Sequence, residues 1–123
     1  MCGISGLLHF DTARRVSEER VVRMRDALEH RGPDDAGIFI DGALGLGHRR
    51  LSILDLSKAG HQPFTSHDGR YVMVYNGEIY NFRDFYGELK SNGISLRTGS
   101  DTEVLLALFQ LYGTAMLSQL NGM

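Results

Sequence analysis

A single cysteine, Cys2, stands in a chain of 123 residues. That excludes an internal disulfide, and nothing else asks for an oxidising compartment. No basic, apolar, small-residue leader opens the chain, and no apolar run is long enough to span a bilayer. The cytoplasm is the expected compartment. Charge of one sign is also scarce. Thirteen basic residues against 15 acidic ones leave a net charge of −2, which argues against nucleic acid or an anionic membrane as a main partner. The 5 histidines are scattered without metal-ligand spacing, and no glycine-rich phosphate loop occurs. No internal repeat, low-complexity tract or linker divides the chain. A length of 123 residues suits one domain, and 42% apolar residues is too high a share for disorder.

What the chain does have is glycine, 15 residues of it, placed between short apolar runs. Ile4, Leu7, Leu8 and Phe10 predict a buried strand. Ser17 suits a helix N-cap, with Glu18 and Glu19 in the first turn. Val21, Met24, Ala27 and Leu28 recur at helical spacing, and Gly32-Pro33 ends that helix. Residues 36–40 and 43–47 predict two strands joined at Asp41-Gly42, a two-residue hairpin signal. Residues 71–75 predict another strand, stopping at Asn76-Gly77. Phe82, Phe85, Tyr86 and Leu89 mark a second helix, closed by Gly93, and 94–96 a short strand. Ser100 and Glu103 have capping-box spacing. They open a third helix whose buried face is Val104, Leu105, Leu108, Leu111 and Tyr112. Gly113 closes it, and Met116, Leu117 and Leu120 predict one or two further helical turns.

Several of these positions allow two explanations. Cys2 is either a small buried hydrophobe or, once the initiator Met is removed, a nucleophile whose own α-amine is its base. Such an amine titrates near pH ~8. Arg49 and Arg50, at a strand end, are either solvated surface or a bidentate clamp for a carboxylate. Asn76-Gly77 is either a tight turn or a pair of donors, one side-chain amide and one backbone N–H, forming an oxyanion hole. Asp101 is either a plain helix-start residue or a carboxylate facing a ligand ammonium.

Six motifs in order resemble the glutamine amidotransferase domain of the N-terminal-nucleophile class, most closely that of glutamine-hydrolysing asparagine synthetases. They are MCGI at the start, HRGPD at 30–34, HRRLSILD at 48–55, QPF at 62–64, NGEIYN at 76–81 and GSDTE at 99–103. The resemblance implies an α+β fold, an αββα sandwich of two antiparallel sheets flanked by helices. It implies that Cys2 attacks the side-chain amide of L-glutamine, releasing ammonia through a glutamyl thioester. Asn76 and Gly77 would stabilise the oxyanion. Arg50, with Leu51 and Ile53 beside it, would hold the substrate carboxylate. Asp101, with the backbone near Glu78, would hold the ammonium. No cofactor is expected here; ATP and magnesium would serve only a synthetase domain that takes the ammonia. The same chemistry could feed a sugar or natural-product acceptor, or be silent with Met1 retained. Family members continue past the equivalent of Gly122-Met123, so residues 1–123 are expected to be an incomplete domain without its synthetase partner. Open sheet edges and uncovered helix faces would then favour self-association.

Overall fold

The computed structural model describes residues 1–52 and 58–123. Strands β1 (Gly3–Leu8), β2 (Asp35–Asp41) and β3 (Leu44–Arg50) form an antiparallel sheet in the order β1-β3-β2. Gly3 is opposite Arg49 in one ladder, and Asp35 is opposite Arg50 in the other. The β2–β3 hairpin turns through Gly42 and Ala43, one residue later than expected, with Gly42 at φ +53°. That positive φ is what a primed hairpin turn requires and what glycine supplies without a Cβ penalty.

Cross-strand partners point to one face, and faces alternate along a strand. Gly3, Ser5, Gly45, Gly47 and Arg49 therefore share the face on which helix α1 (Glu18–Asp26) lies. Glycine permits the close approach: a Cβ on Gly45 would stand 2.5 Å from Val21 Cγ2, and one on Gly3 2.7 Å from Leu28 Cβ. The helix is shorter than expected. It starts after Ser17 as predicted, though Ser17 makes no side-chain cap bond, and it gives way at Ala27 to turns closed by bonds such as Leu28 N–H to Arg25 O and Gly32 N–H to Glu29 O. Met24 and Ala27 face outward, so the buried stripe reduces to Val21 with half-buried Val22, Arg25 and Leu28.

The expected burial of β1 fails. Ile4, Leu8 and Phe10 are exposed, Phe10 at 96%. The side of β1 that packs on α1 carries Gly3 and Ser5, whereas Ile4 and Leu8 point to the opposite face.

The larger apolar core lies elsewhere. Strands β4 (Phe64–Thr65) and β5 (Val72–Met73) pair antiparallel. A 3₁₀ segment at Phe82–Phe85 runs into α2 (Tyr86–Ser91), and α3 (Asp101–Tyr112) packs against both. Ile79, Phe82, Phe85, Leu89, Val104, Leu105, Leu108 and Met116 bury together there. The α3 boundaries are those expected, with Ser100 Oγ accepting from Glu103 N–H at 3.3 Å and Gly113 at φ +56° closing the end. The box is only half formed. Glu103 does not reach back to Ser100; its carboxylate accepts from the N–H groups of Arg97 and Thr98 at 3.0 and 2.7 Å. Gly113–Gln119 continues as 3₁₀ helix. Residues 94–96 are not a strand, and only Val72–Met73 of 71–75 is ladder-paired. The α+β class with antiparallel sheets stands.

Candidate active site

Three chain segments meet at the end of the large sheet. The β1 start brings Cys2, the β3 end brings Arg50 and Leu51, and the residues after β5 bring Asn76, Gly77 and Glu78. Asp101 enters from the first turn of α3. These seven candidates line one cleft of about 150 Å³. Ile53, the eighth, lies outside the described residues.

Strand alternation places Cys2 and Arg50 together. Gly3 and Arg49 are opposite each other on the helix face, so Cys2 and Arg50, one step along each strand, turn to the cleft. Cys2 Sγ lies 3.4 Å from Leu51 N, accepting its N–H, and 3.8 Å from Leu51 O. The main chain of Cys2 is tied by Arg31, whose Nε–H donates to Cys2 O at 3.2 Å. Asp34 secures the other strand end: its N–H donates to Arg50 O at 3.0 Å, and its carboxylate accepts from Ser52 N–H at 2.8 Å. Gly32 leaves no room for a Cβ, which would stand 2.4 Å from the Arg49 carbonyl. The corner at 30–34 thus clamps both strand ends that carry the site, a role the sequence does not reveal locally.

The two arginines differ in kind. Arg49 is neither solvated surface nor in the cleft. Its side chain is 12% exposed on the helix face, and Nη2 is 2.7 Å from Asp26 Oδ1. Arg25 and Arg49 together hold the Asp26 carboxyl below the usual carboxylate range. Arg50 is buried on the cleft face, its guanidinium seated over Gly60, where a Cβ would be 2.1 Å from Nη2.

Asn76-Gly77 is not a left-handed turn. Gly77 has no positive φ. Its glycine is explained by contact: a Cβ there would stand 2.5 Å from Met123 O and 2.6 Å from the Tyr75 hydroxyl. Both backbone groups of Glu78 pair with Met123, each at 2.9 Å. Asp101 Oδ2 accepts from Ile79 N–H at 3.0 Å, which fixes the carboxylate at the helix start beside the segment carrying Asn76. Burial, with the carboxylates of Asp101 and Glu78 nearby, pushes the Tyr75 phenol far up, so it stays a neutral hydroxyl.

The cleft therefore carries a thiol at a strand end, a cation on one strand and carboxylates on the segment and helix beside it. Among the described residues, no group of three or more His, Cys, Asp or Glu side chains is placed to hold a metal ion. No helix among them is long and apolar enough to cross a membrane. Three further residues with no role assigned from the sequence, His48, Gln62 and Tyr75, are buried or half-buried at the cleft, Gln62 and Tyr75 in its lining. The available signals were that His48 and Gln62 open two of the six motifs and that His48 shares a strand face with Arg50.

The chain matches the model of the glutamine amidotransferase domain over residues 1–123. It is 41% identical over 125 residues to glutamine-hydrolyzing asparagine synthetase 1 of Bacillus subtilis, covering 100% of this chain and 20% of that protein. Asparagine synthetase B of Escherichia coli, also named glutamine-hydrolyzing, is 37% identical over 123 residues, covering 100% of this chain and 22% of its own. For glutamine-hydrolyzing asparagine synthetase 1 of Arabidopsis thaliana the figures are 37% over 122 residues, 99% and 20%. The chain thus spans about a fifth of the length of these relatives. With five of the six ordered motifs contributing to one cleft and a family match along its whole length, this chain belongs to the glutamine amidotransferase domain family.

Proposed function

We propose that this cleft hydrolyses L-glutamine to glutamate and ammonia, and that the ammonia serves an asparagine-forming synthetase part of the kind named in its relatives. The observation that carries this is the convergence of Cys2, Arg50, Asn76, Gly77 and Asp101 on one cleft. Arg50 pairs with the substrate carboxylate, and Asp101 with the ammonium, helped by the second lone pair of the Glu78 carbonyl. That leaves the side-chain amide directed at Cys2. The thiol attacks the amide carbon while the α-amine of Cys2 takes its proton. Negative charge forms on the amide oxygen and is met by the Asn76 side-chain amide and the Gly77 N–H. The amine returns the proton to the leaving nitrogen, ammonia departs, and a glutamyl thioester remains. Water, deprotonated by the same amine, cleaves it to glutamate and restores the thiol.

This chemistry requires removal of Met1. With Met1 attached, the Cys2 nitrogen is a peptide nitrogen without a basic lone pair. The alternative reading is a chain that retains Met1, binds glutamine and does not turn it over. We further propose that the two sheets are parts of an αββα sandwich, that this half needs no cofactor, and that ATP and magnesium belong to the synthetase part. We place the protein in the cytoplasm, without nucleic-acid or membrane partners, and expect contacts between copies of the chain. The test is ammonia and glutamate release from L-glutamine by protein shown by intact mass to begin at Cys2. Equimolar release that vanishes when Met1 is retained supports the proposal; release independent of Met1 contradicts it.

A further inference from the structure

The peptide unit before and after Tyr75 is bound from two sides by side chains. Tyr75 N–H donates to Gln62 Oε1 at 2.6 Å, and Tyr75 O lies 3.1 Å from His48 Nε2. A carbonyl only accepts, so Nε2 carries the hydrogen and His48 is the Nε2–H tautomer. His48 is 1% exposed and Gln62 5% exposed. Burial holds the imidazole below its ordinary pKa, in keeping with a neutral ring. These two bonds replace the ladder bonds that a longer β5 would have made. They hold the chain two residues past the end of β5 and one residue before Asn76.

We propose that His48 and Gln62 are positioning residues, which grip Tyr75 between them and thereby fix where Asn76 and Gly77 stand in the cleft. The grip is anchored to the large sheet at both ends. His48 is part of β3, two residues before Arg50 and on the same face. Gln62 is held on β2 by Gly37, where a Cβ would stand 2.0 Å from Gln62 O and 2.9 Å from the His61 ring. His61 Nδ1 in turn meets Asp35 Oδ2 at 2.7 Å. One sheet thus sets the thiol, the carboxylate clamp and the oxyanion donors relative to each other. Transition-state donors gain their effect from such pre-set placement.

The inference rests on the glutaminase proposal, and its test separates the two. Gln62→Met removes the acceptor at constant length, Gln62→Glu keeps one, His48→Gln keeps a donor, His48→Met removes it, and Gly37→Ala lifts Gln62 from the sheet. In folded protein, Gln62→Met and His48→Met should lower kcat about 10- to 100-fold with little change in KM, less than loss of an oxyanion donor itself. Gln62→Glu and His48→Gln should recover most of that. On an Asn76→Ala background the same substitutions should cost less than threefold, because their route runs through Asn76. Amide hydrogen exchange at Tyr75 gives a second readout that needs no activity: protected in the parent and in Gln62→Glu, and at least tenfold faster in Gln62→Met and Gly37→Ala. Full additivity with Asn76→Ala, or an unprotected Tyr75 amide in the parent, overturns the inference. If the parent releases no ammonia while Tyr75 is protected as described, the glutaminase proposal falls and the grip on Asn76-Gly77 stands.

Discussion

Replacing Arg50 and Arg49 separately should produce two different failures. They are adjacent in sequence and on opposite faces of β3. Arg50 faces the cleft with its guanidinium over Gly60. In the proposed role, its loss should remove one charge-assisted contact to the glutamine carboxylate, about 1.5–3 kcal/mol, which is about 10- to 140-fold in affinity. Arg50→Lys keeps the charge and loses the planar fork, so it should fall between. Gly60→Ala should weaken binding more mildly, since the guanidinium end can shift away from a new methyl. Arg49 instead joins the sheet to Asp26 at the end of α1. Arg49→Ala should lower the melting temperature and leave glutamine affinity within threefold. The assay is a calorimetric titration of glutamine into a Cys2→Ala background, which binds without turnover, beside a thermal melt of each variant. An Arg49→Ala effect on affinity larger than that of Arg50→Ala would refute the face assignment.

Other outcomes follow from the same geometry. Asn76→Ala should lower kcat by about two to three orders of magnitude with little change in KM, the pattern of a donor used when charge develops; a change confined to KM would make Asn76 a binding residue. Leu108→Ala, at 1% exposure in the helical core, should cost about 2–5 kcal/mol in urea unfolding, and a loss below 1 kcal/mol would mean that the core collapses around the gap. Burial is the chief cause of the lowered His48 pKa, with Arg50 and His61 adding to it and Asp35 and the Tyr75 carbonyl opposing. The unfolded chain therefore binds this proton more readily than the folded one. Stability is full above the ordinary value of 6.5 and declines as pH falls below it toward the folded value. Urea midpoints between pH 7.5 and 5 should show this decline in the parent and a shallower one in His48→Gln; equal slopes would exclude His48 as its source.

Helix α3 was legible because independent signals agree at its ends, Ser100 and Gly113, and along the Val104–Leu108 part of its expected face, whereas Tyr112, expected on that face, is exposed. The hairpin was legible too, although Gly42 took the first turn position rather than the second. Burial of β1 was misjudged for a physical reason. Periodicity counts large apolar side chains, whereas α1 packs on the face where glycines at 3, 45 and 47 let it come close. Arg49 and Arg50 were not separable from the sequence, because adjacent charges look alike until the strand phase is known. Of the site, Cys2, Arg50, Asn76, Gly77 and Asp101 were legible as candidates through their motifs, and their convergence needed the fold. The Tyr75 grip could not be read in advance, since two ladder bonds are replaced by side chains 13 and 27 residues away.

The central claim, that Cys2 forms a glutamyl thioester, is tested most directly by intact mass after rapid acid quenching with L-glutamine. Protein beginning at Cys2 should gain the mass of one glutamyl group, lost again on standing with hydroxylamine, and Cys2→Ala should gain nothing. Steady glutamine hydrolysis with no adduct on the parent and unchanged turnover in Cys2→Ala would contradict it.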